Sequence, residues 1–209
     1  MKTVVCFGDS NTYGYEPVTG GRYNAEVRWP CVLQRILGDR YDIIEEGCNG
    51  RTTVFEDPND DWKNGLDYIK GIVCSHRPVD VLVIMLGSND MKVSYGASCS
   101  DIAAGMRAVV KAAVDTLEYK QKYAPEVIIV SPPEITEDVL TGPFAGSFDE
   151  TSCRKSRELA GFYEEVADEL GVRFLNAAEY IRPSQTDGLH LTAAAHEGLA
   201  EAVASVIVS

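Results

Sequence analysis

Four short motifs hold residues whose types and spacing could carry out one chemistry. In chain order they are Gly8-Asp9-Ser10-Asn11, Gly47-Cys48-Asn49-Gly50, Gly87-Ser88-Asn89-Asp90 and Asp187-Gly188-Leu189-His190. Together they offer a hydroxyl nucleophile, a base with an orienting carboxylate, and two kinds of donor for a developing negative oxygen. This is the set that hydrolysis of an ester by serine requires.

Ser10 is the candidate nucleophile, and a serine hydroxyl stays inert until a base takes its proton. Asp9 beside it reads as a turn residue. The chain has three histidines. His76 stands at a predicted helix C-terminus before Arg77-Pro78, where a cation suits the helix dipole. His196 falls inside the predicted last helix. That leaves His190, three residues after Asp187, a spacing at which the carboxylate can reach the imidazole Nδ1–H, fix the tautomer and stabilise the imidazolium. The expected triad is therefore Ser10, His190 and Asp187.

The expected oxyanion donors are the side-chain amide of Asn89 and the backbone N–H groups of Gly50 and Ser10. Gly50 lacks a Cβ, so its backbone can approach a ligand closely. Arg51, Thr52 and Thr53 follow it and read as braces for the loop. Asn11, Tyr15 and Trp29 are the candidate substrate-binding residues, with Tyr13 and Trp62 as further aromatics that could line an apolar pocket.

The elements that must position these groups alternate. Strands are expected at Lys2–Phe7, Tyr41–Ile44, Val79–Leu86, Val127–Val130 and Val172–Leu175. The Val79–Leu86 run is nearly all apolar, as in a central parallel strand covered on both faces. Helices are expected over Trp29–Leu37, Trp62–Cys74, a long stretch opened by a Ser98/Asp101 capping box, Glu150–Leu170, and Thr192–Val208 with Thr192 as N-cap. Apolar residues from Ile102 to Leu117 mark one face of the long helix. The segment 134–148 holds Gly142, Pro143 and Gly146 without a clear period, and reads as a lid or specificity loop. The pattern predicts an α/β fold in three layers, α/β/α, around a five-stranded parallel sheet of flavodoxin-like kind, as one domain over 1–209. In such sheets ligands bind beyond the carboxyl ends of the strands, where all four motifs fall.

Composition narrows the setting. The chain has 209 residues, 45% of them hydrophobic, enough for one core. Its net charge of −13, from 19 Lys and Arg against 32 Asp and Glu, opposes binding to nucleic acid or an anionic membrane. No apolar run reaches the length of a membrane span. The N-terminal apolar stretch is short and reads as the first strand rather than a signal peptide, so a cytoplasmic protein is expected. Six scattered cysteines lack CxxC spacing and a histidine cluster, so neither a metal site nor a disulfide framework is expected, and no cofactor is called for.

These motifs resemble the SGNH hydrolase family, also called GDSL-type esterases and lipases. Its four blocks correspond to Ser10, Gly50, Asn89 and the Asp187/His190 pair, and the resemblance runs from Phe7 into the last helix. The strings Val27-Arg28-Trp29, Glu45-Glu46-Gly47, Gly50-Arg51-Thr52-Thr53, Met85 to Lys92 and Ser131-Pro132-Pro133 are similar to the arylesterase/acyltransferase branch. The resemblance implies short acyl esters as substrates, acyl transfer to alcohols as well as water, and oligomers among relatives, some of which deacetylate sugars. The residue after the nucleophile departs from the family name: Asn11 stands where the motif has Leu.

The leading expectation is thus a carboxylic-ester hydrolase with a small-molecule ester as its partner. A carbohydrate O-acetylesterase or a thioesterase would use the same residues. A ligand-binding protein without catalysis could share the fold. A flavin or nucleotide binder could place phosphate in the turn from Gly8 to Gly14, but that turn lacks a Gly-x-Gly-x-x-Gly or P-loop pattern and has no nearby lysine.

Overall fold

The computed structural model describes residues 1–209. Five strands, β1 (Lys2–Gly8), β2 (Tyr41–Gly47), β3 (Val81–Met85), β4 (Glu126–Ser131) and β5 (Arg173–Asn176), form one sheet in the order β2-β1-β3-β4-β5, every neighbouring pair parallel. The six α-helices are α1 (Ser10–Tyr13), α2 (Trp29–Leu37), α3 (Gly65–Ser75), α4 (Cys99–Gln121), α5 (Glu150–Leu170) and α6 (Ala193–Val208).

Alternation along the strands explains the layers. Val5 and Phe7 of β1, Leu82 and Ile84 of β3, and Val127 and Ile129 of β4 point to one face, where α3, α4 and α5 cover them. Val4, Cys6, Val81, Val83, Ile128 and Val130 point to the other, where α2 and α6 cover them. Both faces of the central strands are dry, so their sequences read as unbroken apolar runs. No helix is long and apolar enough to cross a membrane.

The helix ends follow local chemistry. Ser98 and Asp101 form a reciprocal capping box on α4, and Thr192 caps α6 through the Ala195 N–H. Helix α3 begins at Gly65 rather than at Trp62, because the Asn64 side chain accepts the Leu66 N–H and sets the start there. Trp62 is left 51% exposed on the preceding loop. The register pairs Gly8 with both Gly47 and Met85, so the first three motifs leave the sheet side by side at its carboxyl edge.

Candidate active site

Ser10 is the first residue of α1, directly after β1. Its backbone N–H is one of the orphan donors of a helix start and has no protein acceptor. Asp9 is the N-cap and accepts the Asn11 N–H at 2.9 Å. Helix α1 is a single turn, closed by Gly14 in the left-handed region, and its brevity leaves the Ser10 hydroxyl at the rim of a cavity.

His190 Nε2 lies 2.9 Å from Ser10 Oγ, and His190 Nδ1 lies 2.7 Å from Asp187 Oδ2. The other carboxylate oxygen of Asp187 accepts the backbone N–H groups of Leu189 and His190, at 3.0 and 2.9 Å. Burial pushes the Asp187 carboxyl up, but the His190 side chain and these backbone donors outweigh it and hold the group below its ordinary range. An ionised Asp187 fixes Nδ1 as the protonated nitrogen and leaves Nε2 free to accept from serine.

The turn between them depends on Gly188. It takes φ +66°, and a Cβ there would lie 2.4 Å from the backbone nitrogen of Val139. Its carbonyl accepts the Thr136 N–H at 2.9 Å, so the 134–148 segment is fastened to the histidine loop.

The opposite wall carries the donors. Asn89 lies in a 3-10 turn after β3, and its Nδ2 donates to the Arg51 carbonyl at 3.2 Å. One amide hydrogen is thereby committed and the other is left for a ligand. Gly50, at φ +80°, also lines the cavity, and its N–H has no protein acceptor. Fully buried Asp90 binds the two loops together, accepting the N–H and hydroxyl of Thr53 at 2.9 and 2.5 Å. Burial raises the Asp90 carboxyl to about 6, against the Thr53 hydrogen bonds. Asp9 is likewise raised to about 6 by burial. Beneath the loop, Arg51 donates to the carbonyls of Gly8 and Glu46 and lies over the Phe7 ring.

The cavity holds about 300 Å³ and is bordered by Ser10, Gly50, Asn89 and His190. The Tyr15 ring is 4.2 Å from the His190 ring, and the Phe144 ring 5.2 Å from it, centroid to centroid. Tyr15 thus lines the cavity. Trp29 does not. It is 1% exposed and packs in the layer between the sheet and α2/α6, because its position at the start of α2 turns the indole toward the core. Asn11 does not line the cavity either. Its side chain donates to the Leu189 carbonyl at 3.3 Å and accepts the Leu191 N–H at 3.1 Å, gripping the backbone on both sides of His190. Tyr13 faces Arg22, whose guanidinium lies 4.4 Å above its ring.

The other two histidines are elsewhere. His76 caps α3 and pairs with Glu46 at 2.6 Å. His196 is buried, and its Nδ1 accepts the Trp29 N–H at 3.3 Å. Phe144, Ser147 and Phe148 reach the cavity from the 134–148 segment and Lys92 from the turn after β3, and none of the four is singled out as a site residue by the sequence alone. An aromatic inside the Gly142-Pro143-Phe144-Ala145-Gly146 string was the available signal for Phe144, since such loops have little core of their own to bury it in.

Residues 6–197 match the sequence model of the GDSL-like lipase/acylhydrolase family. The chain belongs to this family. A carbohydrate acetylesterase from Sinorhizobium meliloti superposes with a TM-score of 0.93 at 37% identity, over 100% of this chain and 99% of that one. An aryl esterase from M. smegmatis superposes with a TM-score of 0.94 at 35% identity, over the same shares. The five-stranded sheet with helices on both sides is thus the SGNH hydrolase fold of these neighbours. Among curated proteins, an acetylxylan esterase from Xylanibacter ruminicola is 26% identical over 98% of this chain. The chain spans 42% of the length of that relative. These likenesses support a carboxylic ester hydrolase.

Proposed function

We propose that this GDSL-family protein is a serine carboxylic-ester hydrolase that acts on short-chain acyl esters through an acyl-enzyme on Ser10. The observation that carries the reading is His190, which bridges the Ser10 hydroxyl at 2.9 Å and the Asp187 carboxylate at 2.7 Å on the wall of a cavity that also presents Asn89.

The steps follow from this placement. Ser10 Oγ attacks the ester carbonyl carbon as its proton passes to His190 Nε2. The carbonyl π electrons move onto oxygen, and that oxyanion is held by Asn89 Nδ2–H and the N–H groups of Gly50 and Ser10. Collapse re-forms the carbonyl and expels the alkoxide, which takes the proton from His190 and leaves as alcohol. A water molecule, or an alcohol in acyl transfer, then repeats the sequence and releases Ser10. Asp187 keeps its negative charge throughout and stabilises the transient imidazolium.

The small cavity favours short acyl groups. The carbohydrate acetylesterase and acetylxylan esterase relatives favour acetylated sugars as the ester class, and the Tyr15 and Phe144 rings, inclined at 64° to each other, offer an apolar wall against which a sugar face can pack. The test is a panel of p-nitrophenyl esters of increasing chain length, run beside acetylated xylo-oligosaccharides and acyl-CoA thioesters. The reading predicts turnover that falls steeply beyond the shortest acyl chains, with oxygen esters preferred. Thioester hydrolysis alone, or no ester hydrolysis, contradicts it.

A further inference from the structure

The cavity carries one cationic side chain, Lys92, and no carboxylate lines it. Lys92 is half-buried. Its ammonium donates no hydrogen bond and forms none of the ion pairs in the structure. Its cationic neighbour Lys63 is different, being clamped between Asp57 at 2.9 Å and Asp60 at 2.5 Å. A desolvated ammonium without a partner is a standing energetic cost, relieved by an anion that can accept its hydrogen bonds. Burial and Lys63 lower the Lys92 pKa, while Asp57, Asp9 and Asp90 favour its charged form.

The walls of the cavity are unlike each other, and that fixes which part of a substrate meets the charge. The leaving oxygen must receive its proton from His190, so the alcohol lies on the His190 side, where Tyr15 and Phe144 pack on the imidazole. The carbonyl oxygen points to Asn89 and Gly50. The acyl substituent is then directed away from His190. Lys92 follows Asn89 by three residues, in the same turn region, with Lys63 and Asp57 as its charged neighbours, and Asn49 and Ser147 complete the polar border.

On the reading that Ser10 is an acylated nucleophile, we infer that Lys92 is a specificity residue for an anionic group on the acyl side, so that half-esters of short dicarboxylic acids are substrates of this site. The carboxylate would take the Lys92 hydrogen bonds while the apolar alcohol occupies the aromatic wall. The overall charge of −13 opposes anionic ligands at long range, and within the cavity Lys92 supplies the cationic side chain of the lining.

The experiment compares monoethyl succinate with ethyl pentanoate, a neutral ester of similar length, by titrating released acid. The reading is the ratio of their kcat/KM values. Lys92→Met should lower this ratio by about tenfold or more, the size of one charge-assisted hydrogen bond, and Lys92→Arg should restore most of it. Circular dichroism serves as the folding control for both variants. A ratio that stays within twofold in folded Lys92→Met overturns the inference while leaving the esterase reading standing. Hydrolysis of neither ester by a protein that turns over p-nitrophenyl acetate overturns the inference and leaves the esterase reading standing; no hydrolysis of p-nitrophenyl acetate either overturns both.

Discussion

The side-chain oxygen of Asn11 accepts the backbone N–H of Leu191 at 3.1 Å, across 180 positions of sequence. With the second bond to the Leu189 carbonyl, this ties the residue after the candidate nucleophile to the loop that carries its base. Serine and histidine are thus set at 2.9 Å by the backbone around them as well as by their own contact. Asn11→Ala should lower kcat more than it raises KM, because distance and angle between Ser10 and His190 loosen while the cavity is unchanged. Two buried backbone groups lose their partners, so stability should fall by roughly 1–3 kcal/mol. Steady-state kinetics and thermal melting check both parts, and a variant with wild-type kcat refutes the first.

Asn89 is the clearest test of the donor wall. In the proposed mechanism its free amide hydrogen acts on the developing oxyanion rather than on the ground-state ester, so its loss should reduce kcat by about 10²–10³-fold, roughly 2.7–4 kcal/mol, with little change in KM. Asn89→Asp should be at least as damaging, since a carboxylate would repel the oxyanion. Circular dichroism serves as the folding control. Retention of kcat within threefold in Asn89→Ala would reduce the turn after β3 to a structural element.

Asp90 is expected to act through Thr53. Asp90→Ala strands two buried donors of Thr53, and Thr53→Val removes the hydroxyl that Asp90 accepts. Both should lower the melting temperature and kcat together, because the Gly50 loop is then free to move relative to Asn89. A double-mutant cycle should show strong coupling between the two positions, and additive effects would contradict the shared role.

Buried groups give the acid range a definite sign. His196 is lowered to about 4 by burial, first, and then by Arg28 and His190. Between about 6.5 and 4 the unfolded chain gains a proton at this site that the folded chain does not, so His196 makes stability fall as pH falls. Asp9 and Asp90, raised to about 6 from the ordinary carboxyl value of about 3.9, do the reverse: in that interval the folded chain holds their protons and is favoured by acid. His196→Leu should therefore shift the slope of stability against pH between about 6.5 and 4 toward greater relative stability in acid, while retaining esterase activity. It should also be less stable at neutral pH, because the Trp29 N–H loses its acceptor. Denaturant unfolding across that pH range checks the sign, and a slope equal to wild type contradicts it.

Much of this arrangement is legible in the residues themselves. The helices Trp29–Leu37 and Glu150–Leu170 have the bounds that their apolar spacing and the stop at Gly38 and Gly171 dictate, and the Ser98/Asp101 box opens α4. The five strands appear in order because double-sided burial demands apolar runs. Sequence is silent where a side chain's direction depends on tertiary packing. Trp29 and Tyr15 are both aromatics near the first motif, and only the docking of α2 on α6 sends one into the core and the other to the cavity. Asn11 is a polar residue beside a nucleophile, and its partners are 178 to 180 positions away. Phe144 reaches His190 only because Gly188 fastens the 134–148 segment from a distance. Asp9 and Asp90 look like ordinary turn carboxylates until the sheet edge buries them.

The central claim is that Ser10 is the nucleophile and that His190 activates it. The most direct measurement is covalent labelling with an organophosphonate ester, read by mass spectrometry of the intact chain and of its peptides. The expected result is one label per chain, on Ser10, formed together with loss of esterase activity, absent in Ser10→Ala and strongly slowed in His190→Ala but not in His196→Ala. Stoichiometric labelling at another residue, or full esterase activity in Ser10→Ala, contradicts the account.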